Sequence, residues 1–427
     1  MLVEPALSLR GDLAVPGVKG ICQRGVLLGA IAEGESEIRQ FGRAADTESA
    51  ISVVRQLGVE VVDVSDEVVR VQGRGLRGLV APTESLDCGN AGTVMRLAVG
   101  ILAGQEGNFT LVGDASLSTR PQERIAVPLR AMGASVETAD GHAPVRIAGG
   151  SLEPIRYELP VASAQVKSAI LIAGLFASSG PTTVIELAPT RDHTERMLGA
   201  MGARVVRGPG EASVWPVERL CPLSIDVPGD ISSAAPFIVA ATLLPDAEIR
   251  VHGVGVNPTR TGLLDVLERM GARIFLYNRR TVSGEPVADI EVRHAELVAA
   301  EIRGSEVPLL VDELPLFCLL GAMAHGESVV RGAQELRAKE TDRIETTTAV
   351  LRAAGAHIRA TKDGFRIRGV PTRLRGGDVD AAGDHRIAML GAIAGLVSRD
   401  GVRIRGAEAV AVSFPGFFEL VDALGQR

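Results

Sequence analysis

A helix-like run of apolar positions that ends in Gly, usually followed by Ala and a β-branched strand, recurs down this chain. It reads RQLGVEVV at Gly58, RAMGASVE at Gly133, GAMGARVV at Gly202, ERMGARIF at Gly271 and RAAGAHIR at Gly355, with a truncated DALGQR at Gly425. The copies lie about 70 residues apart, longer than the 20–50 residues usual for solenoid repeats. A Gly directly after a helix suits the left-handed C′ position. A second signature interleaves with the first. Polar starts near Lys19, Asn90, Ser163, Asp230, Asp312 and Asp384 open helices of small residues. The strands SEIRQF, NFTLVG, TTVIEL, AEIRVHG, ESVVRGA and VRIRGA follow them.

Each unit therefore reads helix, strand, loop, helix, Gly turn, strand, which is mixed α/β structure. Six copies in register predict two domains of three subdomains each. The boundary is predicted in CPLSIDVPGD, Cys221–Asp230, where two prolines and a glycine break the pattern. The strand-like residues Ala6–Leu13 precede the first unit, and the sixth lacks its last strand. The N-terminal strand is therefore predicted to complete the sixth unit. The predicted domains are 19–226, and 1–18 together with 227–427.

Composition narrows the function classes. Apolar residues make up 46% of the 427 and charged residues 23%, which predicts a large core and no extended disorder. Aromatic content is 3%, so stacking platforms for nucleic-acid bases are few. The net charge of −7 and the lack of long Lys/Arg tracts argue against a nucleic-acid partner. Apolar runs reach about ten residues, short of the roughly 20 that span a bilayer. Cys22, Cys88, Cys221 and Cys318 are far apart and form no metal-type pair. With no signal-peptide pattern at Met1–Leu9, a cytoplasmic protein without membrane partner or metal is expected. GRGLRG at Gly73–Gly78 matches a dinucleotide fingerprint, but no helix pattern follows it, so a hairpin turn is expected there.

The polar residues collect at predicted helix starts. Lys19 and Arg24 open the first helix, Asn90 and Arg96 flank GNAGTVMR, and Ser163, Gln165 and Lys167 stand in SAQVKS. Asp312 and Glu313, then Asp384, His385 and Arg386, open later ones. Asp46, Asp230 and Thr259 read as ordinary N-caps. The cations do not, because Lys or Arg at a helix N-terminus opposes the dipole by about 0.3–1 kcal/mol each. Lys19, Arg120, Arg343 and Arg386 so placed suggest a bound anion, which helix N-termini favour. Asp312 in LLVDELP and Glu340 in KETDR are candidate proton-transfer groups, since a carboxylate among bound anions protonates more easily.

At these residues the chain resembles the 3-phosphoshikimate 1-carboxyvinyltransferase (EPSP synthase) family, over essentially its whole length. The segments VPGVKGICQR, DCGNAGTVMR, LSTRP, SAQVKSA, TRDHTERM, DELP, LRAKETDR, GDHRIAM and SFPGFF follow in the family's order. The resemblance implies an inside-out α/β barrel fold: two domains, each three helix-and-strand subdomains about a pseudo-threefold axis, closing over substrate. It implies small-molecule substrates, phosphoenolpyruvate and 3-phosphoshikimate, and no cofactor. A monomer is the default expectation for two large self-contained domains. Carried over by position, Lys19, Gly20, Arg24, Ser163, Ala164, Gln165, Thr190, Asp312 and Lys339 fall where the family binds phosphoshikimate. Lys19, Gly92, Arg120, Gln165, Arg343 and Arg386 fall where it binds phosphoenolpyruvate. Asp312 and Glu340 fall on the proton-transfer pair, with Lys19 beside both ligands.

The chain departs from the family pattern in places. Gly20 and Val18 replace serines around the lysine, Val412 replaces a lysine before the FP segment, Ala164 a second serine and Leu97 a common proline. A hydrogen bond to a charged group is worth about 1.5–3 kcal/mol, so losing the Gly20-position hydroxyl predicts weaker acceptor binding. Two other functions fit parts of the sequence. A UDP-N-acetylglucosamine enolpyruvyl transferase would usually carry Cys on the loop matching Asp114–Arg120, which here reads DASLSTR. A non-catalytic ligand-binding paralogue would fit Gly20 and Val412 but leave Asp312, Glu340 and the three arginines unexplained.

Overall fold

The computed structural model describes residues 1–426. They form two compact units. An N-terminal unit spans Gly17–Val227 and takes in Val282–Glu285. A C-terminal unit comprises Met1–Pro16, Pro228–Thr281 and the chain from Pro286 onward. Each has its own apolar core.

Both units are built from one module. In its second copy the strand Leu86–Asp87 runs parallel to Asn108–Val112, with the helix Gly92–Leu102 crossing between them. The helix Glu123–Ala131 then leads into the hairpin Ser135–Ala139/His142–Ala148, whose second strand pairs antiparallel with Asn108–Val112. The same order recurs in the sheets built on Thr182–Ile185 and on Glu327–Val330. The predicted Gly turns form as expected at Gly58, Gly133, Gly202, Gly271 and Gly355, where φ lies between 83° and 99°. Gly425 departs, with φ −69°, because the chain there enters a strand pair with Ser8–Leu9.

The N-terminal segment also differs from expectation. The long strand Ser8–Ala14 joins the fourth module, parallel to Glu248–Gly255. The sixth module receives instead the two-residue strand Leu2–Val3, antiparallel to Val402–Arg405. The reason lies in the linker. Its strand Ser224–Asp226 pairs with Glu33–Arg39 of the first module, which leaves the fourth module's leading position to Ser8–Ala14. Gly73–Gly78 ends the strand Val68–Arg74 in a turn and opens no helix.

Helices lie inside each unit and sheets outside. All thirteen residues of Ile231–Leu243 are buried, as are nine of the ten in Leu314–Met323. A helix apolar all round belongs in an interior. In the C-terminal unit these two helices and His385–Leu396 pack against one another. In the N-terminal unit Gly92–Leu102 packs on both Lys19–Ala30 and Ala164–Gly174. Small residues permit this approach: a Cβ at Gly100 would lie 2.5 Å from the Ala169 carbonyl oxygen and 2.9 Å from its Cα. Because the inner helices meet so closely, their N-termini, and the polar residues on them, are brought together. Among the described residues no helix is long and apolar enough to cross a membrane.

Gly100→Ala should therefore force two helices apart and lower stability by about 1–3 kcal/mol, as overpacking does. Gly199→Ala, on the exposed side of His193–Ala200 with no heavy atom within 4 Å of the new Cβ, should be neutral or stabilising by about 0.5–1 kcal/mol. Urea unfolding of the two variants checks both. Equal effects would show that helix spacing is not the constraint.

Candidate active site

In the N-terminal unit Lys19 is the first residue of its helix, and its Nζ lies 2.6 Å from Asp46 Oδ2. Its side chain keeps 26% of its exposure, so the ammonium remains reachable from solvent. Asp46 thus pairs with Lys19 rather than capping a helix. Arg24 is buried one turn along. Its Nη1 donates to the Gly20 carbonyl at 2.8 Å, its Nε to Thr194 Oγ1 at 2.7 Å and its Nη2 to Ser168 Oγ at 3.2 Å. A Cβ on Gly20 would meet Arg24 Nη1 at 3.4 Å, an ordinary contact, so nothing in the packing excludes a side chain there.

Gln165 sits in the first turn of Ala164–Gly174, whose N-cap is Ser163. Its Oε1 accepts from Arg96 Nη1 at 2.5 Å and its Nε2 donates to Thr93 Oγ1 at 2.9 Å. Arg120 Nη2 donates to Asn90 Oδ1 at 2.5 Å and to Ser116 Oγ at 3.0 Å. Asn90 in turn donates to Asp114, the N-cap of the short helix Ala115–Ser118. Gly92 lies beside two guanidiniums: a Cβ there would be 3.1 Å from Arg96 Nη1 and 3.4 Å from Arg120 Nη1. Thr190 precedes the helix His193–Ala200, and both its N–H and its hydroxyl donate to Glu186. Lys167 does not face a ligand, although it stands in the same motif. It is buried to 1% exposure, 2.7 Å from Glu195 and 3.1 Å from Glu186.

In the C-terminal unit the groups centre on Arg343, first residue of its helix and 1% exposed. Its Nε lies 2.8 Å from Asp384 Oδ2, its Nη2 2.6 Å from Glu340 Oε2 and its Nη1 3.4 Å from Asp312 Oδ1. Lys339 Nζ is 3.9 Å from the same Asp312 oxygen. Burial alone would lower the Arg343 pKa. The carboxylates, Asp384 foremost, outweigh it and hold the pKa above its ordinary value. Burial likewise raises the Asp384 carboxyl, yet Arg343 keeps it below its usual range. Asp384 also caps the helix His385–Leu396, accepting from Arg386 N at 2.9 Å. Arg386 is less tightly held. Its nearest carboxylate oxygens, on Glu313 and Asp312, lie at 3.9 and 4.0 Å. Its buried Nε has no hydrogen-bond partner among the described residues. Glu313, fully buried, is pushed above the usual carboxylate range by burial, with Asp312 adding to the effect. It accepts a hydrogen bond from Ser232, which also receives Arg260 Nη2 at 2.7 Å.

The structure thus groups Lys19, Gly20, Arg24, Gly92, Arg120, Ser163, Ala164, Gln165 and Thr190 in one unit and Asp312, Lys339, Glu340, Arg343 and Arg386 in the other. All stand at or near helix starts. Protein carboxylates already stand beside two of the four cations expected to meet an anion. Asp46 offsets Lys19, and three carboxylates offset Arg343. The sequence pattern singled out none of Ser168, Thr194, Glu186 and Glu195, and marked Asp46 only as an N-cap. Ser168 and the Thr194–Glu195 pair lie inside the quoted SAQVKSA and TRDHTERM segments, but their spacing does not reveal contacts made across the fold.

Among the described residues, Asp192, His193 and Glu285 could together offer three ligand atoms to a metal ion. Arg196 and Arg207, each 2.9 Å from Asp192, already supply positive charge there, and His193 Nδ1 lies 2.8 Å from Glu285.

Comparison with known proteins decides the family. Residues 3–421 match the family model described as EPSP synthase (3-phosphoshikimate 1-carboxyvinyltransferase). The chain belongs to the EPSP synthase family. A 3-phosphoshikimate 1-carboxyvinyltransferase of Desulforudis audaxviator is 49% identical, covering 99% of this chain and 98% of that one. The EPSP synthase of Acinetobacter baumannii superposes with a TM-score of 0.88 at 42% identity, over 99% of this chain and 97% of that one. The enolpyruvyl transferase NikO of Streptomyces tendae shares the fold at 19% identity and a TM-score of 0.78. Every motif segment from Val15 to Phe418 lies inside the family match.

Asp384→Asn should destabilise the protein by about 3–5 kcal/mol at neutral pH, the usual effect of breaking a buried ion pair. The folded Asp384 pKa is lowered, so its contribution is complete above the unfolded value and is lost as pH falls through the folded one. The gap between wild type and variant should therefore close from about pH 4 downward. Urea midpoints measured from pH 7 to pH 3 check this; a gap constant with pH would remove Asp384 as the anchor.

Proposed function

We propose that this protein transfers the enolpyruvyl group of phosphoenolpyruvate to the 5-hydroxyl of 3-phosphoshikimate, releasing phosphate. The observation that carries the reading is the cluster of Asp312, Glu340 and Arg343 at helix starts, two carboxylates on one buried guanidinium. Family membership supplies the substrate pair.

In this reading Asp312 takes the proton from the attacking ring hydroxyl while Glu340 delivers one to the methylene carbon of phosphoenolpyruvate. The new C–O bond and the protonated carbon give a tetrahedral intermediate. Loss of phosphate and of one methyl proton then forms the enol ether. Acids and bases all come from side chains. Lys19, Arg120, Arg343 and Arg386 neutralise carboxylate and phosphate through charge-assisted hydrogen bonds. Gly92 leaves room beside the guanidiniums, and Gln165, aimed by Arg96, contacts both ligands. Arg24, Ser163, Ala164, Thr190 and Lys339, with Gly20, hold the phosphorylated ring. The reading takes the protein as a cytoplasmic monomer. Cysteines spaced far apart fit a reducing compartment.

Inorganic phosphate release with phosphoenolpyruvate and 3-phosphoshikimate, beside a parallel reaction with UDP-N-acetylglucosamine, tests the assignment. Release is expected with 3-phosphoshikimate alone; release with neither acceptor would favour a binding paralogue. Asp312→Ala should lower turnover by about 10² or more, the usual worth of a general base, with the fold intact. Near-normal turnover would remove Asp312 from the mechanism. Gly20→Ser should fold normally and lower the acceptor KM by about tenfold or more, roughly what a restored hydrogen bond to a charged group is worth. An unchanged KM would show that this position no longer contributes.

A further inference from the structure

A buried ammonium in the N-terminal unit ties together two segments that carry proposed acceptor-binding groups and a third that supports Arg24. Lys167 Nζ reaches Glu195 Oε1 at 2.7 Å, Glu186 Oε1 at 3.1 Å and the Thr190 carbonyl at 3.4 Å. An ammonium has three donors, so none is left for a ligand. Lys167 lies one turn after Ser163 on its helix. Glu186 and Thr190 belong to the loop after the strand Thr182–Ile185. Glu195 adjoins Thr194, the hydroxyl that receives Arg24 Nε, on the helix His193–Ala200.

Glu186 acts on Thr190 directly. Its Oε1 accepts from both the backbone N–H and the hydroxyl of Thr190, and lies 3.1 Å from the Lys167 ammonium. The threonine oxygen is thereby fixed by its own backbone and by its hydroxyl proton. Removing charges from water is expensive, and a buried ion pair is weak evidence for stability. Its better use is to fix one geometry. We propose that Glu186 and Lys167 are positioning residues for the phosphorylated acceptor, holding Thr190 in its binding orientation before the ligand arrives. This rests on the reading of Thr190 as an acceptor-binding residue.

Glu186 gives the cleaner test. Lys167→Met leaves two buried carboxylates without a cation and endangers the fold. Glu186→Ala leaves Lys167 still paired one-to-one with Glu195. Glu186→Gln keeps a carbonyl oxygen that can accept from Thr190 and Lys167. The kinetics of phosphate release and the melting temperature are to be measured for wild type, Thr190→Val, Glu186→Ala and Glu186→Gln. Ordering a side chain at a binding surface has a free-energy cost that preorganisation removes, so Thr190→Val and Glu186→Ala should each raise the acceptor KM about tenfold. The phosphoenolpyruvate KM and kcat should stay within about twofold, and Glu186→Gln should recover most of the loss.

A raised acceptor KM in Thr190→Val with no change in Glu186→Ala overturns the proposal and leaves the functional reading standing. So does a Glu186→Ala variant in which both KM values rise alongside a fallen melting temperature, since that marks a merely structural role. An unchanged acceptor KM in Thr190→Val removes Thr190 from the acceptor site, and the proposal with it. No phosphate release by the wild type with 3-phosphoshikimate would sink the functional reading itself.

Discussion

A guanidinium removed from water must be neutralised where it lies, and the arrangement of the C-terminal unit's polar centre follows from how Arg343 meets that demand. Arg343 is 1% exposed and has carboxylate oxygens at 2.6, 2.8 and 3.4 Å. These come from different places in the chain. Asp384 caps one inner helix, Asp312 precedes another and Glu340 stands three residues before Arg343 itself. One cation therefore brings the starts of three helices into a fixed relation. Transferring such charges costs several kcal/mol per ion even after relaxation. Losing any one partner would leave part of that cost unmet, so the carboxylates are held in place by the same interaction that holds the arginine.

The N-terminal unit solves a related problem with a lysine placed differently. Lys167 sits in the first turn of an inner helix, whereas Arg343 opens the second helix of its module, and the two are equally buried. Its counter-charges, Glu186 and Glu195, come from the following loop and helix rather than from the starts of other inner helices. The cations proposed to meet ligands, Lys19 and Arg120, are held at one side by Asp46 and Asn90. Burying one cation completely and leaving a neighbour accessible separates the group that fixes geometry from the groups proposed to meet substrate.

Much of this was legible along the chain, and what was not has a physical cause. The Gly after each second helix is a local requirement, since only Gly enters a left-handed turn without strain. Gly58, Gly133, Gly202, Gly271 and Gly355 therefore announced the repeat by themselves. The positions of Lys19, Arg120, Arg343 and Arg386 near helix starts were legible for the same local reason. Strand exchange was not. Whether Leu2–Val3 or Ser8–Ala14 completes a given sheet depends on which leading position the linker strand Ser224–Asp226 has already filled. Nor could spacing reveal that Lys167 meets Glu186 and Glu195, because separations of 19 and 28 residues carry no period linking them.

The contrast between Arg343 and Arg386 gives the helix-start cations different tasks. Both oppose the dipole of the helix they begin. Arg343 is compensated by carboxylates at hydrogen-bonding distance, so its charge is satisfied by the protein. Arg386 has its nearest carboxylate oxygens at 3.9 and 4.0 Å, donates to the Ser232 carbonyl at 3.4 Å, and has a buried Nε with no partner among the described residues. An anionic ligand can gain little from a guanidinium that already holds full charge-assisted hydrogen bonds. It gains more from one whose donors are under-used in a partly dehydrated setting, where each such bond is strong. In the proposed reaction Arg343 thus chiefly organises the proposed acid and base around it, and Arg386 supplies the larger share of the grip on the substrate's charge.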